Sequence, residues 1–121
     1  MSRPATHIAK TSIHAQTFEP YPMPKEILVE GDPAAKVHWL RASSPGEAPY
    51  YAGIWTAQPS VFNYTFEMNE TAHVLEGWVV VSQKDGPTLD LRPGDVATFP
   101  KGAVTRWDVR EPFKKVFVDT P

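Results

Sequence analysis

A chain of 121 residues has room for one core and not comfortably for two. Its 21% charged and 41% hydrophobic residues are an ordinary globular mixture, and a net charge of −2 with interspersed signs leaves no basic face for nucleic acid. The lack of cysteine excludes a disulfide framework and thiolate chemistry, and 13 prolines argue against long helices.

In chain order, Met1 to Lys10 hold no apolar run long enough for a signal peptide, and no stretch approaches a membrane span. The expectation is a cytoplasmic protein with no membrane partner. Residues 1–35 are punctuated by Pro20, Pro22, Pro24 and Pro33, and only Ile27 to Val29 is continuously apolar. That stretch is too short for a domain and is expected to pack as an extension, partly as edge strands, on a domain formed by 36–121. Ala35 to Ala42 is the first convincing strand, and after a loop at Ser43 to Pro49 come strands at Tyr50 to Gln58 and Val61 to Phe66. A turn at Met68-Asn69 precedes the alternating strand Glu70 to Gly77, which is expected to end at its glycine; the apolar run Trp78 to Val81 follows. The turn Lys84 to Pro87, the strand Thr88 to Leu91, the turn Arg92 to Asp95, the strand Val96 to Phe99 and the turn Pro100 to Gly102 come next. Val104 to Arg110 and Phe113 to Val118 finish the sheet. Short strands separated by tight turns with glycine beside proline or aspartate spell a small antiparallel barrel. No 20–50-residue period repeats, which excludes a solenoid or propeller.

Two spacings carry a resemblance. E-x6-G (Glu70, Gly77) and G-x5-P-x-G (Gly94, Pro100, Gly102) are similar to the two motifs of the cupins. The longer wording, from E-x-x-H-V-L-E-G through L-x-P-G-D-V-x-x-F-P-K-G to K-x-F-V, resembles the single-domain cupins related to (S)-ureidoglycine aminohydrolase and the ethanolamine-utilisation cupin. It covers roughly residues 50–118, including Gly53-Ile-Trp55. The resemblance implies an all-β fold, a double-stranded β-helix (cupin jelly-roll barrel) with a Pro-rich N-terminal extension, and a two-fold homodimer for which the extension is a candidate strand donor.

A barrel of this size holds one small ligand, with inward residues alternating along each strand. By the family's H-x-H-x3-E pattern, the positions of the two motif histidines are Tyr64 and Phe66, and that of the third is Thr105. Glu70 alone remains of the four usual ligands. A lone carboxylate with tyrosine, phenylalanine and threonine does not hold a divalent ion, so neither metal nor other cofactor is expected. His7 and His14 lie in the extension and His38 is far upstream. His73 has odd spacing from Glu70, which points the two to opposite faces of an unbroken strand; a bulge would overturn that.

The expected lumen therefore comprises Tyr64, Phe66, Glu70, Thr105 and Trp107, with Trp55 and Phe62 contributing at the mouth. Burial of Glu70 among aromatic rings is expected to raise its pKa and make it a general acid or base. Ionised, it would suit an ammonium- or amide-bearing ligand. The opposing reading is that the aromatics fill the core and Glu70 is a satisfied buried polar group. Trp78 reads as core. Of Lys114 and Lys115, one faces the sheet interior, and an edge-strand solubility role is the expectation for both. Arg92, Arg106 and Arg110 form no phosphate cluster. Three function classes stay open: a metal-independent enzyme acting on a small amine-, ureido- or carboxylate-bearing metabolite with Glu70 as acid/base, a non-catalytic ligand-binding or sensor module, and an accessory subunit with a filled lumen.

Overall fold

The computed structural model describes residues 7–121, so Met1 to Thr6, with that part of the extension, lie outside the described residues. Among the described residues nine strands form: β1 (Glu19–Pro20), β2 (Leu28–Gly31), β3 (Lys36–Ala42), β4 (Tyr51–Ala57), β5 (Ser60–Thr65), β6 (Asn69–Gln83), β7 (Thr88–Leu91), β8 (Val96–Phe99) and β9 (Val104–Thr120). The one helical element among the described residues is a single 3-10 turn at Lys25–Ile27. No helix there is long and apolar enough to cross a membrane.

β6 and β9 are each longer than expected, and they organise the rest. The first half of β6 pairs the second half of β9, and the second half of β6 pairs the first half of β9. One wall of the barrel runs β1, β3, β4, the end of β9, the start of β6, then β8; the other runs β2, β5, the start of β9, the end of β6, then β7. The all-β jelly-roll expectation holds.

The expected break at Gly77 is instead a corner. The chain passes through it at φ 85, and the register with β9 shifts on both sides. A Cβ at this position would collide with the Pro112 carbonyl oxygen on the facing strand. Glycine is required by positive φ and close approach together, as at a β-bulge. Bending both long strands here lets each serve two walls, which closes the barrel around an inward face of Phe62, Val74, Val79, Val81, Trp107, Val109 and Phe113.

Two short strands from the stretch before Ala35 pair within the same chain, β1 with β3 and β2 with β5. Further upstream that stretch is tied down on the outside. The His38 ring donates from Nδ1 to the Thr17 carbonyl oxygen at 2.7 Å and accepts the Thr11 hydroxyl at Nε2 at 2.6 Å. Lys114 donates to the Ile13 carbonyl oxygen at 3.2 Å. Trp78 is not in the core. It stands outside, half-buried, with the Arg92 guanidinium 4.2 Å and the Arg110 guanidinium 4.9 Å from its ring centroid, both within cation–π range.

Candidate functional site

Register sets the site. On β9 the alternating residues Phe113, Lys115, Phe117 and Asp119 face inward, and β4 lays Trp55 beside Lys115, Gly53 beside Phe117 and Tyr51 beside Asp119. On the other flank β6 lays Glu70 beside Asp119 and Val74 beside Lys115. β9 is thus central in its wall, bonded on both sides, so any inward polar residue on it is carried into the lumen. Gly53 leaves room for β3 to approach closely, because a Cβ there would strike the His38 carbonyl. Trp39, opposite Gly53, then leans over the site, 5.9 Å from Tyr51 and 6.0 Å from Phe117 between ring centroids.

The cavity has a volume of about 520 Å³ including the space at its open mouth, and it is lined by Tyr21, Met23, Trp39, Trp55, Phe62, Tyr64, Phe66, Glu70, Trp107, Lys115, Phe117 and Asp119. At its centre the Lys115 ammonium donates to Glu70 Oε2 at 2.5 Å, with both side chains 8% exposed. The same ammonium lies 4.8 Å from the Trp55 ring, 4.8 Å from the Trp107 ring and 6.0 Å from the Phe117 ring. Asp119 completes the group. Burial, then the charge of Glu70 and a hydrogen bond with its side chain, push the Asp119 carboxyl up to about 8, against the opposing pull of Lys115. Its Oδ1 is buried without a hydrogen-bond partner among the described residues.

These facts revise the expected site. Glu70 is inward and buried, as expected, but it is half of an ion pair rather than a lone acid. The aromatic niche expected to take a ligand's ammonium is occupied by Lys115, whose expected edge role is overturned because β9 is no edge. Tyr64, Phe66, Trp107 and Trp55 all line the cavity. Trp55 and Phe62 sit buried at its base, however, and the mouth is made by Tyr21, Trp39, Tyr51, Tyr64 and the exposed Glu67. Burial, then the nearby Tyr21 and Glu70, push the Tyr64 phenol well above its ordinary range, so it remains a hydrogen-bond donor at neutral pH. Thr105 does not line this cavity. Its hydroxyl donates to the Tyr64 carbonyl oxygen at 2.7 Å and accepts the Trp107 indole N–H at 3.1 Å, which fixes the ring over Lys115. Trp107→Phe removes that bond and leaves a buried hydroxyl half-satisfied; we expect a loss of about 1 kcal/mol in denaturant unfolding.

Asp119, Tyr21 and Trp39 were missed. Asp119 and Lys115 share the alternation of Phe113 and Phe117, which was the available signal. His73 is exposed and lies on the face opposite Glu70, with no register shift between them.

The family model described as an EutQ-like cupin domain matches residues 46–117. The chain belongs to that family. No curated protein sequence matches it. Among solved structures, this cupin is similar to a putative ethanolamine utilization protein Q from Salmonella typhimurium LT2, at 25% identity over 72% of this chain and 69% of the other, TM-score 0.61. It is similar to a DUF861 family protein from Thermotoga maritima, at 34% identity over 67% and 96% of the two chains, TM-score 0.51. It shares its fold with a protein of unknown function from Pseudomonas syringae pv. tomato DC3000, at 21% identity over 87% and 45%, TM-score 0.76. These comparisons bear out a single-domain cupin, and none singles out the ureidoglycine aminohydrolase.

Many cupins hold a metal at the motif positions, and the residues of this cupin do not fit one. Phe66 stacks on Phe99 at 4.7 Å, the Thr105 hydroxyl is engaged elsewhere, and the ammonium of Lys115 already sits on Glu70. Among the described residues no three of His, Cys, Asp and Glu come together to hold an ion. A divalent cation at Glu70 would have to displace a buried ammonium from three aromatic faces.

Proposed function

We propose that this cupin is a metal-independent enzyme that performs acid–base chemistry on a small polar metabolite bound in the barrel lumen. The observation that carries the reading is the buried Glu70–Lys115–Asp119 constellation on the wall of a cavity open to solvent. Two carboxyls that face each other beside one ammonium hold a single transferable proton, because both ionise together only at high cost. With the Asp119 carboxyl near 8, the pair is an acid below that pH and a base above it, within the working range of a proton-transfer catalyst. Asp119 carries the proton, Glu70 faces it as the ion-pair partner of Lys115, Tyr64 donates a hydrogen bond, and Phe66, Trp107 and Trp55 exclude water. The likeness to an ethanolamine utilization protein agrees with a small polar metabolite as substrate. The reading includes a cytoplasmic protein that works as a two-fold homodimer, without nucleic-acid or membrane partners.

A metabolite screen on chelator-treated protein tests it. We expect conversion of at least one small amine-, ureido- or carboxylate-bearing compound, unaffected by chelation. Conversion that vanishes with chelator and returns with a divalent ion contradicts the reading, as does binding without turnover across the screen.

A further inference from the structure

The carboxyls of the lumen outnumber its ammonium. Two carboxyls, Glu70 and Asp119, face one ammonium, and Glu70 takes it at 2.5 Å. Asp119 is left with Oδ1 buried and unpartnered among the described residues. A third carboxylate, Glu67, stands exposed at the rim, and among the described residues neither lumen nor mouth is lined by any lysine or arginine besides Lys115. Around Asp119 the walls are aromatic: Tyr51 is its register partner, and Trp39 lies 5.9 Å from Tyr51.

We propose that the mouth of the lumen binds the protonated amino group of a small primary amine, seated beside Asp119 as Lys115 is seated beside Glu70, with Trp39 and Tyr51 against its carbon chain. This rests on the acid–base reading and names the substrate class for it. Lys115 shows how this lumen holds an ammonium, with a carboxylate on one side and aromatic faces on the others. The mouth offers a second ammonium the same two kinds of group. An anionic ligand would meet Glu67, Glu70 and Asp119, with the one counter-charge among the described lining residues already committed to Glu70.

Recognition is coupled to a proton. The groups facing Asp119 are Glu70 from β6, Lys115 from β9, Tyr51 from β4, Tyr64 from β5, Tyr21 from the extension and Glu67 from the turn before β6. The Tyr21 and Tyr64 phenols are shifted upward, so they stay neutral donors while Asp119 titrates. An entering ammonium finds its counter-ion when Asp119 gives up its proton, and binding therefore tightens as pH rises towards and past 8. Once seated, the ammonium can return a proton to the same carboxylate, which frees its nitrogen lone pair for chemistry.

Three probes of matched size separate the possibilities: n-propylammonium, n-propanol and propionate, titrated into the full chain while the indole N–H signals of the tryptophans are followed by NMR. We expect n-propylammonium to bind in preference to the other two and to move the Trp39 signal. Its affinity should be about tenfold higher at pH 9 than at pH 7, the ratio set by a carboxyl titrating near 8. Asp119→Asn, a neutral isostere that keeps the spectrum dispersed, should weaken it and abolish the pH dependence. Preference for propanol or propionate, affinity flat with pH, or no response to the amine overturns the assignment. If propionate is preferred while Asp119→Asn still abolishes turnover, the amine assignment falls and the acid–base reading stands. If Asp119→Asn leaves turnover intact, the acid–base reading falls as well.

Discussion

Lys115→Met destabilises the fold by about 3–5 kcal/mol, the cost of leaving a buried carboxylate without its counter-charge. Glu70 has 8% of its side chain exposed, too little for water to replace the ammonium. Methionine fits the volume and the aromatic cage, so the loss is electrostatic rather than a cavity. The double variant Glu70→Gln/Lys115→Met should recover most of the stability, because a neutral amide beside a thioether needs no partner charge. Glu70→Gln alone strands the ammonium and is expected to cost roughly 1–3 kcal/mol, less than the lysine change, since three aromatic rings still face the cation. Denaturant unfolding of the four proteins gives the coupling directly. A Lys115→Met variant as stable as the parent would mean that the pair is not formed in solution.

Asp119→Asn acts on chemistry and on pH dependence together. Turnover at saturating ligand should fall about 10²–10⁴-fold, the usual contribution of a general acid or base, beyond any loss of affinity. The limb of the pH–rate profile centred near 8 should disappear with it. Stability changes in a defined direction. The Asp119 carboxyl is raised by folding, so between about 4 and about 8 the folded chain holds a proton that the unfolded chain has released. Its contribution to stability is present below the unfolded value and is lost as pH rises through the folded value. Asparagine cannot ionise, so the variant should gain steadily on the parent between about pH 4 and about pH 8 and keep that gain above 8, and its stability should lack the decline across that window. Parallel pH profiles for the two proteins would remove Asp119 from the account.

The β elements were largely legible because glycine beside proline or aspartate marks turns by local backbone chemistry, which needs no knowledge of neighbours. Glu70 was legible through the resemblance, because it holds the glutamate position of the E-x6-G spacing that ends at Gly77. Lys115 and Asp119 were not. Alternation put both on the face of Phe113 and Phe117, but whether that face meets water or a lumen depends on what pairs with β9. It is bonded by β4, β5 and β6, and that is a long-range fact absent from local pattern. Gly77 and Pro112 were read as strand ends for a related reason. Each is a strand breaker alone, but across from one another they form a corner that both strands pass through. Tyr21 reached the mouth because β1 pairs with β3, a contact that a proline-rich stretch does not announce.

The central claim is that a proton resides on the paired carboxyls of the lumen at neutral pH. Carbon-13 NMR titration of the aspartate side-chain carboxyls, with Asp119 assigned by its loss in Asp119→Asn, measures this without a substrate. The account predicts a midpoint near 8 for Asp119, falling towards acid in Glu70→Gln, where the neighbouring charge is gone. A midpoint near the ordinary aspartate value of about 3.9 would contradict it.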